Sequence, residues 1–239
     1  MKINKKFGQK VKMIAHRGLS GVEQENTAAA FIAAGNRSYF GIECDIHITK
    51  DNVFVICHDA HTARISPVSY VIKEVSYKEL AGVFLFDRAS EETKSYLTIL
   101  TLKEYLAIAS KYQKHSFIEI KPEFTMKEIE QFLFEISKYG SLDMITVISF
   151  NYSNLKRIHK LNSSLRLQYL LERPSDVAIE LCRNIAADAD IFYQNVTKSD
   201  IVRLHKNNIK VNVWTIDNPV VAKKFIRWGA DYITTNILE

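Results

Sequence analysis

Four short polar clusters interrupt otherwise apolar runs of the chain: His16-Arg17-Gly18, Glu43-Cys44-Asp45, His58-Asp59 and Glu119-Ile120-Lys121. Glu43 and Asp45 are two residues apart in a stretch that reads as a strand, so their side chains share a face. Glu119 and Lys121 stand in the same relation. Three carboxylates converging on one site would repel one another strongly unless a cation joined them. Oxygen ligands of this kind suit a hard ion such as Mg2+ or Ca2+, whereas a zinc site more often takes His or Cys directly. Taken singly, each cluster also has a plainer use: a strand-to-loop junction at His16, a solvent-facing edge pair at Glu43 and Asp45, neutralisation of Glu119 by Lys121, a hydrogen-bonded turn at His58-Asp59. What sets the four apart is that all fall at or near strand ends.

The elements that must position them alternate from end to end. Strands are expected at Val11–Ala15, Gly41–Ile48, Ser116–Ile120, Met144–Phe150, Arg166–Leu171, Asp190–Tyr193, Lys210–Ile216 and Tyr232–Thr235, with amphipathic helices between most of them. In the clearest helix, Met126–Tyr139, Ile129, Phe132, Leu133 and Ile136 recur at i, i+3, i+4 and i+7 and so share one face. An Ala-rich helix over Asn26–Ala34 is capped by Asn26 or Thr27. Repeated β–α units imply parallel strands, either in a closed barrel or in an open doubly wound sheet. The open dinucleotide-binding sheet is disfavoured, because the first strand runs into His16-Arg17-Gly18 and not into a Gly-x-Gly-x-x-Gly loop. At 239 residues the chain matches a typical barrel of about 250, whose strand ends converge on one site. The expected fold is therefore a (β/α)8 TIM barrel, one domain over residues 1–239.

Two segments break the alternation. Val53–Cys57 follows Gly41–Ile48 across Lys50-Asp51-Asn52, too short a link for a parallel crossover, so a hairpin is expected that returns His58 to the level of Asp45. Residues 59–96 then show little periodicity beyond a short helix near Ser76–Leu80, where Ser76 and Glu79 have capping-box spacing. This stretch is expected to be a small insertion, of the kind that often serves as a lid.

Hydrophobic content of 47% with 25% charged residues belongs to an ordinary globular protein, and no apolar run is long enough to span a membrane. The formal net charge of +5 owes much to Lys2, Lys5, Lys6, Lys10 and Lys12. A solvated terminus is favoured there over docking on an anionic surface; no nucleic acid partner is expected. Cys44, Cys57 and Cys182 follow no zinc or redox spacing and read as free packing thiols in a reducing cytoplasm.

In order, His16-Arg17-Gly18, Glu25-Asn26-Thr27, Gly41-Ile42-Glu43-Cys44-Asp45, Thr49-Lys50-Asp51, His58-Asp59, Ile118-Glu119-Ile120-Lys121 and Val213-Trp214-Thr215 resemble the motifs of the glycerophosphodiester phosphodiesterase family. The resemblance runs from Ile14 to about Asn236. It implies a barrel related to phosphatidylinositol-specific phospholipases C and hydrolysis of glycerophosphodiesters to glycerol 3-phosphate and an alcohol. It further implies that His16 and His58 are the acid–base pair, that Glu43, Asp45 and Glu119 hold one divalent cation (Mg2+ or Ca2+), and that Arg17 and Lys121 contact phosphate. Trp214 is similar to the aromatic that packs against glycerol; without the resemblance it reads as a core residue. Gln24 and Leu100 stand where the family commonly has Pro, Ala63 where it has Asp, and a frequent Gly is missing from the insertion. These departures touch loops and bear on substrate choice more than on catalysis. Two other functions remain open on this basis: a phospholipase acting on intact lipid, and a catalytically silent barrel that binds a phosphate ligand. Phe84-Leu85-Phe86 is read as a local core under the insertion in preference to a lipid entrance, and His47 as peripheral.

Overall fold

Alternation along the strands builds the molecule. In Gly41–Ile48 every side chain is buried, but Ile42, Cys44, Ile46 and Ile48 join the main apolar core while Glu43 and Asp45 point the other way. A strand buried on both faces belongs to a sheet covered by helices. The computed structural model describes residues 11–88 and 90–239; Lys2, Lys5, Lys6 and Lys10 of the basic run lie outside the described residues.

In chain order the strands are β1 (Lys12–Ala15), β2 (Gly41–Ile48), β3 (Phe54–Ile56), β4 (Phe84–Phe86), β5 (Thr93–Thr98), β6 (His115–Ile120), β7 (Ile145–Ser149), β8 (Arg166–Leu171), β9 (Asp188–Phe192), β10 (Val211–Trp214) and β11 (Tyr232–Thr235). The helices are α1 (Ala28–Gly35), α2 (Tyr77–Ala81), α3 (Leu102–Lys111), α4 (Met126–Tyr139), α5 (Tyr152–Leu161), α6 (Asp176–Asn184), α7 (Lys198–Lys206) and α8 (Pro219–Trp228). Strands β1, β2, β6, β7, β8, β9, β10 and β11 pair in that order, all parallel, and β11 returns to β1 with Ile14 opposite Thr234. The fold is a closed (β/α)8 barrel. Helices α1 and α3 to α8 connect its successive strands, and α3, α4 and α7 start at capping boxes led by Thr101, Thr125 and Thr197.

The expected hairpin is present: β3 runs antiparallel to β2 with Ile46 opposite Ile56, and the Cys57 N–H donates to the Asp45 carbonyl at 3.0 Å. Two expectations need correction. Helix α1 starts at Ala28, because Thr27 is its cap, whereas Asn26 adopts φ 58° and turns its amide toward Asp45. The insertion is also less irregular than expected, since β4 and β5 form a hairpin. Its buried apolar side chains follow no single helical or strand period, and they gather with β3 into a second cluster around Val55, Ile65, Leu80, Leu85 and Leu97. Leu85 is buried there, while Phe84 stays exposed.

Beneath the mouth the barrel is plugged by Ile14, Phe117 and Tyr232, with Phe40 against them. Gly41 makes room for this layer: a Cβ there would lie 2.6 Å from the His115 carbonyl oxygen and 2.7 Å from the Phe117 ring. His115, buried below Phe117, stacks on Phe40 and bonds Thr146 Oγ1 at 2.8 Å. Burial, then the charge of Arg166, pushes its pKa down to about 4. A base with a depressed folded pKa contributes stability that is full above the unfolded value near 6.5 and falls as pH drops toward 4. Between pH 7.5 and 5 this histidine alone should cost roughly 2 kcal/mol. Urea melts at the two pH values should show that His115→Gln loses less stability on acidification than the wild type; equal losses would refute the assignment.

Candidate active site

The carboxyl ends of the barrel strands bring the sequence-expected residues together. A cleft with about 450 Å³ of space open to solvent is lined by His16, Arg17, Glu43, His58, Glu119, Lys121 and Trp214. Asp45 lies immediately beside it, fully buried, and a carboxylate oxygen from each of Glu43, Asp45 and Glu119 lies within 4.8 Å of the others. Cys44, Cys57 and Cys182 are buried free thiols, and none of them lines the cleft.

Each carboxylate is held in place by backbone geometry around it. Arg17 takes φ 53° and Gly18 φ 78°, a left-handed turn that aims the Arg17 N–H at Glu43 Oε2, 2.7 Å away. Glycine is required at position 18, where a Cβ would come within 2.7 Å of the Ala30 backbone. Asn26 donates to Asp45 Oδ2 at 2.8 Å. Lys121 Nζ lies 2.8 Å from Glu119 Oε1 and 3.5 Å from Asp45 Oδ1, and Arg17 Nε lies 3.3 Å from Asp45 Oδ2.

Three buried acids thus face two cations, and the imbalance shows in their protonation. Burial, then the charges of Asp45 and Glu119, push the Glu43 carboxyl well above the ordinary range. Burial and Asp45 raise Glu119 to about 7 against the pull of Lys121. Burial would raise Asp45 too, but Arg17 and then Lys121 outweigh it and hold that carboxyl below its usual value. Glu43 Oε1 and Asp45 Oδ1 are buried with no hydrogen-bond partner. Buried acceptors left open in this way, in an all-oxygen donor set with one charge too many, fit a divalent cation.

The two imidazoles are pinned by the same nitrogen. His58 Nδ1 lies 2.7 Å from Asp59 Oδ1, a carboxylate that can only accept, so Nδ1 carries the proton. His16 Nδ1 lies 2.8 Å from Asn236 Oδ1, and the Asn236 amide is oriented by its donation to Asp217 Oδ2 at 2.7 Å. In both rings Nε2 is left with the lone pair. Burial, then Arg17, lowers His16 to about 4; burial also lowers His58, with Arg17 adding and Asp45 opposing. His47 sits to the side, its Nε2 donating to the His58 carbonyl at 3.1 Å.

Trp214 packs between Phe150 and Phe192, with centroids 5.7 and 5.3 Å away. Asp190, Asn212 and Thr234 also line the cleft and were not expected from sequence, although they share the inward parity of Trp214 on adjacent strands. Burial, with Glu119 adding, keeps the Asp190 carboxyl well above its ordinary value. Asn236, Asp217 and Arg64 carried no local sequence signal, because each meets its partner only through the closed barrel or the folded insertion.

A buried acidic triad, two flanking cations and two oriented imidazoles at the carboxyl end of a (β/α)8 barrel define a barrel hydrolase of the phosphodiesterase class. Residues 16–239 match the model of the glycerophosphoryl diester phosphodiesterase family, and the chain belongs to that family. Among curated proteins it is similar to an uncharacterized protein of Mycoplasma genitalium, 31% identical over 229 residues and covering 90% of each chain. It is also similar to a glycerophosphodiester phosphodiesterase of Caldanaerobacter subterraneus, 29% identical, covering 95% of this chain and 94% of the relative. Among solved structures, a phosphodiesterase of Oleispira antarctica in complex with the product sn-glycerol-3-phosphate shares the fold, with TM-score 0.88, 23% identity and coverage of 94% of this chain and 92% of that one. No helix among the described residues is long and apolar enough to cross a membrane.

Proposed function

We propose that the enzyme hydrolyses small glycerophosphodiesters, such as glycerophosphocholine or glycerophosphoethanolamine, to glycerol 3-phosphate and an alcohol, with one Mg2+ or Ca2+ bound by Glu43, Asp45 and Glu119. The observation that carries this is the pair of imidazoles, each fixed through Nδ1, lining one cleft with the triad, Arg17 and Lys121. Bound at the triad, the cation would supply Lewis-acid relief of the negative phosphoryl oxygens. Arg17 and Lys121 donate charge-assisted hydrogen bonds to those oxygens and orient the ester. One imidazole takes the proton from the attacking hydroxyl, of water or of the substrate's own glycerol, as the new P–O bond forms. The other, entering the cycle as an imidazolium that carries a proton on Nε2 as well, gives that proton to the departing alkoxide as the old P–O bond breaks, and water completes the cycle. Trp214 supplies an apolar wall for the glycerol carbons. The chain acts as one domain over residues 1–239, in the cytoplasm.

A cleft lined mostly by charged and polar side chains suits a deacylated ester better than a two-chain lipid. Purified protein assayed with Mg2+, Ca2+ or EDTA is expected to release glycerol 3-phosphate from glycerophosphocholine with either cation and not with EDTA. Intact phosphatidylcholine should be cleaved at least about tenfold more slowly, a tenfold ratio being only 1.4 kcal/mol of discrimination. Turnover of intact lipid alone would favour the phospholipase, and binding without turnover the silent barrel.

A further inference from the structure

Arg64 stands in the insertion, six residues beyond His58, and does not line the cleft. Its guanidinium nevertheless meets two carboxylates at once. Nε donates to Asp59 Oδ2 at 2.7 Å, while Nη1 and Nη2 donate to Glu25 Oε2 and Oε1 at 2.9 and 2.8 Å. Both carboxylates hold the site with their remaining capacity. Asp59 Oδ1 accepts from His58 Nδ1 at 2.7 Å, and Glu25 Oε1 accepts from Arg17 Nη1 at 3.0 Å. Arg17 in turn lies against Asp45.

We propose that Arg64 is a positioning residue, which orients His58 through Asp59 and Arg17 through Glu25, so that the folded insertion completes the active site. This rests on the catalytic roles proposed above for His58 and Arg17. Asp59 and Glu25 are largely shielded, with side-chain exposures of 24% and 19%, and two such anions stay side by side only with a cation between them. An isolated surface ion pair would do little. Here the fork is bidentate on one acid and bonded to a second, a geometry that fixes direction as well as charge. Without Arg64 the Asp59 carboxylate is free to turn, and the His58 ring loses the bond that selects its Nδ1–H tautomer.

The test compares Arg64→Ala and Arg64→Lys with the wild type in four measurements: kcat, KM, unfolding temperature and the ring 15N shifts of His58. Loss of a group that orients a reacting one typically costs about 10–100-fold in activity. Arg64→Ala is expected to lower kcat by that factor, with KM within about threefold and the unfolding temperature lowered only modestly, since Arg17 still pairs with Glu25 and the Arg64 fork is itself half-exposed. Its His58 spectrum should show a mixture of tautomers where the wild type shows Nδ1–H alone. Lysine, which reaches only one of the acids, should fall between. A wild-type kcat in Arg64→Ala, or a lowered kcat with the His58 tautomer unchanged, overturns the proposal. Were the wild type inert toward every glycerophosphodiester, the phosphodiesterase function would fall instead, and the 15N shifts would still decide whether Arg64 orients His58.

Discussion

His58→Ala is expected to lower kcat on glycerophosphocholine by about 10²–10⁴-fold, the usual worth of a positioned proton transfer, and His16→Ala to do the same. The two losses differ in their side effects. The His58 side chain is partly exposed at the cleft rim and its removal frees only Asp59, which Arg64 still holds. His16 is half-buried, and its removal takes one of two donors from the Asn236 carbonyl oxygen, leaving Ser20 Oγ, so that variant should also unfold slightly more easily. Which ring serves as the acid follows from the leaving group. A p-nitrophenyl ester departs as a stable anion and needs no proton, so the variant lacking the general acid should recover on that substrate while the variant lacking the base does not. Retention of more than a tenth of wild-type kcat by either alanine variant on the natural esters would remove that histidine from the proton path.

The second large effect lies in the triad, where chemically similar changes should act with different signs. In the cation-free protein burial and the charges of Asp45 and Glu119 disfavour the Glu43 anion, so Glu43→Gln removes a charge the site resists, in the same shape, and keeps the acceptor for the Arg17 N–H. Its stability without cation should be unchanged or slightly raised. Asp45 is instead the anion shared by Arg17 and Lys121, and Asp45→Asn takes from two shielded cations the carboxylate between them, leaving each with one acid, Glu25 or Glu119. Breaking a buried pair in this way costs about 3–5 kcal/mol. Both variants should weaken cation binding by at least about 100-fold, since losing a ligand costs more than the 10–100-fold typical of a group that only orients one. Calorimetric titration with Mg2+ and Ca2+, beside urea melts in EDTA, reads both effects. Equal destabilisation by the two substitutions would contradict the assigned charges, and undiminished cation affinity would exclude the triad as the metal centre.

Much of this architecture is written locally. Helix α4 falls on the residues its apolar spacing marks, and β2, β8 and β11 coincide with their expected bounds. The eight acidic, basic, imidazole and indole residues singled out for the site meet at one end of the barrel, because the ends of β1, β6 and β10 lie level with Glu43 and Asp45 inside the longer β2, and antiparallel β3 returns His58 to that level. Strand β9 begins at Asp188, two residues before its expected start, since Asp188 and Ala189 have little strand preference of their own and are recruited by pairing with β8. The β4–β5 hairpin escaped notice for a related reason: Thr93–Thr98 places only Leu97 in the interior. Asn236 and Arg64 were invisible because their partners are chosen by tertiary approach, and polar residues of their type stand at many other surface positions.

The seam of the barrel also governs how the enzyme comes into being. Strand β1 has β11 as a neighbour, and the bond holding His16 spans a sequence separation of 220. Closing so long a loop costs chain entropy before any contact rewards it, so ring closure is expected among the later steps of folding. Until β11 is in place, β1 presents an open edge and His16 has no Asn236 to fix its tautomer. Pairing of β2 with β6 brings Asp45 and Glu119 together without the seam, whereas the His16–Asn236 bond needs it. Catalytic competence and barrel closure arrive in the same event, so recovery of activity during refolding reports on the seam itself.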